Sequence, residues 1–295
     1  MKQYVSIDIG GTAIKYGLLN EAAEIVKRGK LPTEAYKGGS SILKKAMGIV
    51  EEFASAERIH GICISTAGMV DTQRGEILHA AYLIPKYTGT QFKKTMEERF
   101  QVRCEVENDV NCAGLAEAMT GASKGSRVSL MLTIGTGIGG CIIIDGKVFR
   151  GCSNSACEVG YMHMEGSDFQ TLGAASILTR KVAEWKNEPE SAWNGFHIFE
   201  EAKKGDELCI RAIDEMVDVL GQGIANICFV LNPEVVVLGG GIMAQEEYLR
   251  GRMEEAVGKY LFPVIASHTR IAFAKHRNDA GMLGAFYHFM QKDKE

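Results

Sequence analysis

The sequence predicts an α/β fold with two domains. Its 295 residues exceed the usual size of one domain, so two domains of roughly 120 to 170 residues are expected. Short apolar strand patterns alternate with longer segments of helical periodicity along most of the chain. A strand, a glycine-rich turn and a second strand occur twice, about 125 residues apart, as a duplicated domain would place them.

The first half of the chain opens with a hairpin. Residues 4–9 and 13–19 form two strand patterns, and Gly10-Gly11 lies at the tip between them. The segment from Ser40 to Ala56 places its apolar residues on one face of a helix. The other elements predicted in this half are strands over 59–65 and 102–107, a weaker helix over 92–100, and a helix that opens at Asn108-Asp109.

The second half begins with the repeated pattern. A strand over 128–134 ends in Gly135-Thr136-Gly137-Ile138-Gly139-Gly140, and a second strand follows over 141–144. The least regular stretch is about 145–175, which mixes Gly, Ser and Cys. The later elements predicted are a helix over 208–231 that Asn232-Pro233 ends, strands over 234–238 and 270–274, and a closing helix from Asp279.

Composition and charge narrow the classes of function. Hydrophobic residues make up 46% and charged residues 24%, which excludes global disorder. The net charge of −4, from 33 Lys and Arg against 37 Asp and Glu, provides no basic surface for nucleic acid or an anionic membrane. Neither a signal-peptide pattern nor an apolar run of membrane length is present. Most of the eight cysteines lie in apolar runs, as buried thiols of a reducing compartment would, so a cytoplasmic location is expected.

Glycine clusters follow four of the predicted strands, at 10–11, 66–68, 135–140 and 239–241. Such a turn exposes backbone N–H groups that suit phosphate oxygens, although a hairpin tip also uses glycine for its positive φ. Four clusters at strand ends that point to one cleft favour nucleotide binding. Because neither a Walker A motif nor G-x-G-x-x-G within a βαβ unit is present, the P-loop and Rossmann folds are disfavoured.

Polar residues beside these turns are candidates for chemistry. Asp8 is placed to hold Mg²⁺ directly or through water, or else to bond the turn backbone as an ordinary strand-end residue. Thr12 is placed to donate to phosphate or to cap its turn. Asn108 and Asp109 fit a helix N-cap, or a ligand anchor and a general base that the helix N-terminus keeps ionised. Glu158 is either a surface carboxylate or an acceptor for vicinal hydroxyls.

These motifs together resemble a known family. Ile7-Asp8-Ile9-Gly10-Gly11-Thr12 is similar to the first phosphate motif of sugar kinases in the actin, Hsp70 and hexokinase superfamily, and Gly135–Gly140 to the second. Gly239-Gly240-Gly241 resembles the adenosine-contacting turn of that superfamily. Glu107-Asn108-Asp109-Val110-Asn111 resembles the sugar-binding and catalytic segment of the ROK family (repressors, open reading frames, kinases). The resemblance covers nearly the whole chain, in order.

The resemblance implies two RNase-H-like domains of the actin-like ATPase type around a cleft. The sugar-side domain would comprise 1–118 plus 281–295, and the ATP-side domain 119–280. ATP and Mg²⁺ would be the cofactors, and Asp109 would deprotonate a sugar hydroxyl that attacks the γ-phosphate. The other implied site residues are Asn108, Glu158, Gly68 and Tyr161 for the sugar, Ile9, Gly10, Gly11, Thr12, Lys15, Thr133, Gly135, Thr136, Gly137, Gly240 and Gly241 for the nucleotide, and Asp8 for magnesium.

One departure from the family pattern bears on the substrate. Most members carry Glu-x-Gly-His followed by a cysteine-rich zinc loop, but here Tyr161 replaces the His and residues 158–208 contain no cysteine. The glutamate that usually follows the loop has no clear counterpart at 170–175. We therefore expect no zinc and an open pocket at the reducing end of the sugar. The Glu158-x-Gly160-Tyr161-Met162 segment resembles the β-glucoside kinase subgroup, which favours phosphorylation of O6 on the non-reducing glucose of β-glucosides such as cellobiose.

Three other interpretations compete with this one. A kinase of a free monosaccharide (glucose, fructose or N-acetylmannosamine) would use identical machinery. A sugar-responsive repressor would need an N-terminal helix-turn-helix, for which the strand beginning near residue 4 leaves no room. A sensor without catalysis is disfavoured because Asp8, Asp109 and both glycine turns are present. The resemblance also leads us to expect a homodimer.

Overall fold

The computed structural model describes residues 2–80 and 84–292. It divides into two compact units, of which unit 1 comprises Met1–Met119, Arg150–Ala156 and Asn278–Glu295, and unit 2 comprises Thr120–Phe149 and Cys157–Arg277. The segment Arg150–Ala156 packs with unit 1, whereas the sequence assigns it to the second domain. The assignment of a sugar side and an ATP side stays a prediction.

The secondary structure of the described residues alternates strands and helices. The strands are β1 (Gln3–Ile9), β2 (Ala13–Asn20), β3 (Ile25–Pro32), β4 (Gly61–Thr66), β5 (Met69–Asp71), β6 (Glu76–His79), β7 (Cys104–Asn108), β8 (Val128–Ile134), β9 (Ile138–Ile144), β10 (Lys147–Val148), β11 (His163–Met164), β12 (Ser167–Asp168), β13 (Val235–Gly239) and β14 (Arg270–Phe273). The helices are α1 (Gly39–Ala56), α2 (Phe92–Phe100), α3 (Asp109–Thr120), α4 (Phe169–Gly173), α5 (Ala175–Lys186), α6 (Gly195–Lys203), α7 (Glu207–Leu231), α8 (Glu246–Tyr260), α9 (Pro263–Ala266) and α10 (Ala280–Lys292).

Unit 1 is built on a five-stranded sheet in the order β3-β2-β1-β4-β7. β2 is antiparallel to both of its neighbours, whereas β1, β4 and β7 run parallel. Alternate residues of a strand face opposite sides of the sheet. Val5 and Ile7 of β1 therefore pack in the core that contains the apolar face of α1, while Tyr4 packs against Phe286 and Phe289 of α10. Helices thus cover both faces of the sheet, and the strand ends remain to carry polar residues.

Unit 2 repeats this arrangement. Its five-stranded sheet has the order β10-β9-β8-β13-β14, with β9 antiparallel to both neighbours and β8, β13 and β14 parallel. The long helix α7 supplies much of the apolar core, including Ile213, Leu220 and Ile224, which are fully buried. Strand order and strand direction match those of unit 1. The duplication predicted from the sequence is confirmed.

Some local predictions need correction. β9 begins at Ile138 rather than Cys141, because Ile134 pairs directly with Ile138 and closes the hairpin. The second glycine turn is therefore only Gly135–Gly137, and Gly139 and Gly140 are strand residues. β3 was not predicted from the sequence, since this strand at the edge of the sheet is rich in charge and only half-buried. The helices α5, α6 and α8 were not predicted either, and the short elements from β10 to α4 lie within the stretch considered least regular.

Most of the cysteines are buried, as predicted from the apolar runs in which they lie. Six of the eight are buried, Cys157 is half-buried and Cys152 is exposed. All eight lie within the described ranges, and each is a thiol rather than half of a disulfide. Within residues 2–80 and 84–292, every helix is too short or too polar to cross a lipid bilayer.

Candidate active site

Asp8 lies near the end of β1, beside a hydroxyl and a cation. Ser65 on the neighbouring strand β4 donates its Oγ hydrogen to Asp8 Oδ1 at 2.8 Å, and the Lys15 Nζ lies 3.9 Å from Asp8 Oδ2. Burial raises the pKa of Asp8, and the contacts with Ser65 and Lys15 oppose that rise. Ser65 and Lys15 offset only part of the cost of burying the charged Asp8 carboxylate, so an additional cation would be stabilised beside it.

The beginning of the C-terminal segment completes the surroundings of Asp8. A Cβ on Gly281, in the first turn of α10, would overlap the Asp8 carboxylate, so this turn packs directly on it. The Lys15 Nζ also donates to Asn278 Oδ1 at 3.2 Å. The ammonium of Lys15, predicted to bind the nucleotide, is thus already held by two groups of unit 1.

Asn108 caps the N-terminus of α3. Its Oδ1 accepts from the backbone N–H groups of Val110 at 2.9 Å and Asn111 at 3.0 Å. Its Nδ2 donates to the carbonyl oxygen of Gly68 at 2.9 Å and to Asp109 Oδ1 at 3.0 Å. The N-cap interpretation therefore describes the geometry, and the amide of Asn108 orients both Gly68 and Asp109. A direct contact between Asn108 and sugar stays a prediction.

Asp109 occupies the first turn of α3. Burial and then the negative charge of Asp8 raise the pKa of Asp109 to about 7, although hydrogen bonds from Val110 N–H and Asn108 oppose the rise. Asp109 is therefore only partly ionised at neutral pH, whereas the helix N-terminus led us to expect an ionised carboxylate. Loss of hydration and a like charge outweigh the helix dipole. A carboxyl group with a pKa near neutrality can both accept and release a proton.

The first glycine turn leaves only part of its backbone available. The N–H of Gly10 donates to Ala13 at 3.1 Å, so it is not available to a phosphate, contrary to the prediction. The N–H groups of Gly11 and Thr12 carry no hydrogen bond within the described residues. A Cβ on Gly11 would meet nothing within 4 Å, and its φ lies outside the left-handed region. Ile9 is fully buried, so only its backbone could contact a ligand.

The second glycine turn, Gly135–Gly137, also leaves part of its backbone without hydrogen bonds to the described residues. Gly135 N–H donates to Gly137 at 2.9 Å, and the Gly135 carbonyl accepts from Ala175 N–H at 2.9 Å. In the described part of the chain, Thr136 and Gly137 N–H groups have no partner. A Cβ on Gly135 would meet nothing within 4 Å, whereas one on Gly137 would lie 2.7 Å from Gln170 Oε1. Neither positive φ nor packing explains the glycine at 135.

Thr133 and the third glycine cluster lie on the neighbouring strand ends. Thr133 pairs in register with Gly139 on β9 and with Gly239 on β13, so no cross-strand side chain crowds its hydroxyl. Gly240 has a φ of +103°, and a Cβ there would overlap the backbone at the end of β8. Gly241 has open space around it and an ordinary φ. Gly240 is therefore required by the fold, and Gly241 is not.

Glu158 directly precedes a short 3₁₀ helix, Val159–Tyr161, in unit 2, and Tyr161 is the last residue of that helix. Gly160 within it is buried, and a Cβ there would overlap the carbonyl oxygen of Ile138. Glu158 is exposed, and Tyr161 is 59% exposed. Close packing of the turn on β9 thus presents both predicted sugar ligands at the surface of their unit.

The predicted residues form two groups, one in each unit. In unit 1, Asn108 links Asp109 to Gly68, and Asp8 lies near enough for its charge to act on Asp109. In unit 2, the turns after β8 and β13 follow adjacent parallel strands, and Gln170 lies beside both Gly137 and Gly160. Within residues 2–80 and 84–292, no three His, Cys, Asp or Glu side chains are grouped to hold a metal ion.

Sequence reasoning missed two residues that shape the unit 1 site. Ser65 could have been found, because it lies near the end of β4, a buried strand that runs parallel to β1, and it pairs in register with Asp8. Arg150, which bonds Glu107 beside Asn108, gave no such signal, since it lies in the stretch of weak regularity. Long-range ion pairs of this kind have no local sequence pattern.

Curated relatives match this chain along almost its whole length. An uncharacterised protein of Clostridium perfringens is 48% identical, over 99% of this chain and 99% of its own. The β-glucoside kinase of Klebsiella pneumoniae is 30% identical, over 97% of this chain and 95% of its own. The glucokinase of Halalkalibacterium halodurans is 28% identical, over 98% of this chain and 96% of its own.

Solved structures match the fold equally fully. A Listeria monocytogenes protein described as a candidate N-acetylmannosamine kinase superposes with a TM-score of 0.89 at 29% identity, over 99% of both chains. A ROK family protein of Streptococcus pneumoniae in complex with sucrose gives 0.87 at 28%, over 99% of both. A ROK family glucokinase of Streptomyces griseus with glucose and AMPPNP gives 0.83 at 25%, over 96% of this chain and 97% of its own.

These likenesses settle the fold and the family. The ROK sugar kinase structures have two actin-like ATPase domains, so the predicted fold class is confirmed. The model of the ROK family matches residues 4–292, which is nearly the whole chain. The chain therefore belongs to the ROK family.

Proposed function

We propose that this chain phosphorylates the 6-hydroxyl of the non-reducing glucose of a β-glucoside such as cellobiose, with ATP as the phosphoryl donor. The activity class is an ATP:sugar phosphotransferase, since the glucokinase and β-glucoside kinase relatives and the Streptomyces griseus glucokinase structure are sugar kinases of this family. The substrate within that class is inferred from the residues of this chain.

The orientation of Asp109 by Asn108 is the observation that carries the proposal. The hydrogen bonds from Asn108 Nδ2 and Val110 N–H to the Asp109 carboxyl group fall on Oδ1, and Oδ2 would accept the proton of a sugar hydroxyl. With a pKa of about 7, a substantial fraction of Asp109 is ionised at neutral pH and ready to act as a base. The deprotonated hydroxyl would then attack the γ-phosphorus in line.

The backbone of two glycine turns would bind the ATP phosphates. The unbonded N–H groups of Gly11 and Thr12 in unit 1, and of Thr136 and Gly137 in unit 2, are donors of the kind that stabilise phosphate oxygens. The open space at Gly11 and Gly135 supports this role, because glycine is needed there only if something else approaches the backbone closely. Thr133 and Gly241, on adjacent strand ends, would contact other parts of the nucleotide.

Asp8 fits a magnesium ion that accompanies ATP. Its carboxylate is a hard oxygen donor, and it is under-compensated where it lies between Ser65 and Lys15. Mg²⁺ is commonly held by one or two carboxylates plus substrate phosphates and water, which agrees with a site of one acidic side chain. When bound, the ion would neutralise charge on the transferred phosphoryl group.

The residues around Glu158 support a β-glucoside over a free sugar. Glu158 would accept hydrogen bonds from hydroxyls of the glucose ring, and the exposed ring of Tyr161 replaces the histidine that most family members have. A substituent on O1 could then extend from the pocket without leaving a buried polar group unpaired. The β-glucoside kinase of Klebsiella pneumoniae and the sucrose complex of the Streptococcus pneumoniae protein support a glycoside substrate.

A free monosaccharide is the second candidate. The glucokinase of Halalkalibacterium halodurans, at 28% identity, and the glucose complex of the Streptomyces griseus enzyme favour it. A sensor that binds sugar without catalysis is the third, and the presence of both Asp8 and Asp109 argues against it.

An ATP-dependent phosphorylation screen tests the proposal. Purified protein is incubated with MgATP and with each of a set of monosaccharides and β-linked disaccharides, and ADP release is followed. The phosphorylated position is then read from ³¹P-coupled ¹³C NMR of the product. We expect a phosphate on C6 of the non-reducing glucose. Phosphate at any other position, or no turnover of any sugar, contradicts the proposal.

A homodimer in the cytoplasm is part of the same proposal. In unit 2, the exposed rings of Phe229 and Phe262 contact each other as an apolar cluster, and their chain neighbours Val230 and Val264 are exposed as well, Val230 to 90%. Such a cluster on a globular protein is the kind of surface that a second copy would bury. Sedimentation of the wild type and of Val230→Glu tests this, because a dimer that buries the cluster should dissociate in the variant.

A further inference from the structure

Glu107 is a buried carboxylate that binds two segments of unit 1 together. It is 1% exposed, and its Oε1 accepts from Asn108 N–H at 2.7 Å and from Asn111 Nδ2 at 3.0 Å. Its Oε2 accepts from Nε of Arg150 at 2.9 Å and from Nη2 at 2.6 Å. One oxygen thus supports the turn that contains Asn108 and Asp109, and the other holds Arg150.

Arg150 is held from a second side by α10. Its Nη2 lies 3.3 Å from Nδ1 of His288, and since guanidinium has only donors, the histidine nitrogen is the acceptor. Burial lowers the pKa of His288 to about 4, so the imidazole is neutral at pH 7 and can accept this bond. The guanidinium of Arg150 is therefore fixed between β7 and α10.

Arg150 is also the first residue of a loop, 150–156, that belongs to unit 1. Phe149 before the loop and Cys157 after it both belong to unit 2. The N–H of Ala156 donates to the carbonyl of Arg150 at 3.2 Å, which joins the two ends of the loop. Anchoring Arg150 therefore anchors both ends, and Glu158 is the second residue after the loop.

We propose that Arg150 is a positioning residue for the sugar site, which supports the turn of Asn108 and Asp109 through its ion pair with Glu107 and anchors the loop 150–156 that precedes Glu158 in the chain. The inference rests on the proposed function, in which Glu158 binds the sugar and Asp109 acts as base. Binding groups that come from distant segments of the chain must be held together before the sugar arrives, or ordering them weakens binding. Arg150 supplies that pre-organisation without touching substrate.

Arg150→Met tests the inference, with Arg103→Met as the matched control. Arg103 also pairs with a buried glutamate of β7, Glu105, at 3.7 Å, and also bonds α10, through the Phe289 carbonyl. It lies just before the other end of β7, away from Asp109. Both variants remove a cation beside a buried carboxylate, and both should lower the melting temperature, although Glu105 keeps Lys93 at 3.0 Å in Arg103→Met. Only Arg150→Met should raise the KM for sugar, by about tenfold or more, with the KM for ATP changed less than about twofold.

A second readout does not depend on activity. Hydrogen–deuterium exchange of residues 150–157 should become faster in Arg150→Met and remain at the wild-type rate in Arg103→Met. If Arg150→Met does not fold, Arg150→Lys, which keeps the charge but loses the two-nitrogen contact, should show the same changes to a smaller degree.

The outcomes separate this inference from the proposed function. If the wild-type enzyme turns over no sugar, the proposed function is contradicted. The exchange measurement still decides whether Arg150 anchors the loop. A wild-type KM for sugar in Arg150→Met, or an equal rise of that KM in Arg103→Met, would show that the ion pair is merely structural and overturn the inference.

Discussion

Asp8 and Asp109 are two carboxyl groups of one unit, and the charge of Asp8 contributes to raising the pKa of Asp109 to about 7. Each comes at the end of a parallel strand of the same sheet, Asp8 on β1 and Asp109 directly after β7. Parallel strands bring their ends to one edge, which is how residues a hundred positions apart in sequence meet. The negative charge of Asp8 therefore adds to burial in raising the proton affinity of Asp109, and a carboxyl group perturbed in this way is a candidate for acid–base chemistry.

Replacing Asp109 with Asn should abolish most phosphoryl transfer and retain sugar binding. The amide is nearly isosteric but cannot accept the proton, and loss of a general base costs about 10² to 10⁴ in rate. The wild-type kcat/KM should fall below about pH 7, with an inflection set by Asp109, and the residual rate of the variant should lack that inflection. Steady-state kinetics from pH 5.5 to 9 check both points. A variant with wild-type kcat would remove Asp109 from its assigned role.

The same substitution should stabilise the protein at alkaline pH. The pKa of Asp109 is raised in the folded state, so the folded protein binds more protons than the unfolded chain between about pH 4 and 7. Its contribution to stability is therefore present at low pH and is lost as the pH rises through 7. Asp109→Asn should melt a few degrees above the wild type at pH 8, and the difference should shrink toward pH 5. Thermal melts of both proteins across this pH range measure the difference. Equal melting temperatures of the variant and the wild type at pH 8 would contradict the raised pKa of the buried Asp109 carboxyl group.

Gly135→Ala should weaken ATP binding without unfolding the chain. Its φ is ordinary and a Cβ would meet no protein atom within 4 Å, so stability should change by less than about 0.5 kcal/mol. The added methyl group would occupy the place where a phosphate approaches, and the KM for ATP should rise about tenfold with little change in the KM for sugar. Gly48→Ala, at an equally open glycine on α1, is the control and should change neither KM. Equal effects of Gly135→Ala on both substrates would mean that the turn is structural.

Metal analysis of the purified protein should find no stoichiometric zinc. The segment after Glu158 lacks the cysteines and the histidine that most ROK members have, and a structural zinc site needs four ligands. Inductively coupled plasma mass spectrometry after extensive dialysis measures the content. One tightly held zinc per chain, with unfolding on chelation, would be inconsistent with the assignment to the β-glucoside subgroup.

The repeated strand patterns were enough to predict the fold class. Residues 128–134 form a strand with the predicted bounds, and the first hairpin closes at the predicted glycines, because both depend on local periodicity and turn chemistry. The pKa of Asp109 could not be predicted in the same way. It depends on burial and on Asp8, which is distant in sequence, whereas the helix N-terminus that suggested an ionised carboxyl is local. The ion pair of Arg150 with Glu107 could not be predicted for the same reason, because the two residues are 43 positions apart in the chain.

The most direct test of the central claim compares cellobiose with glucose under the same conditions. Kinases that select a free monosaccharide must enclose or recognise its anomeric end. In this chain Tyr161 replaces the histidine that most family members have there, and the later glutamate has no clear counterpart. A coupled ADP-release assay gives kcat/KM for both sugars at saturating MgATP. We predict a value for cellobiose at least comparable to that for glucose. Strong turnover of glucose with none of cellobiose would contradict the β-glucoside assignment and favour a monosaccharide kinase.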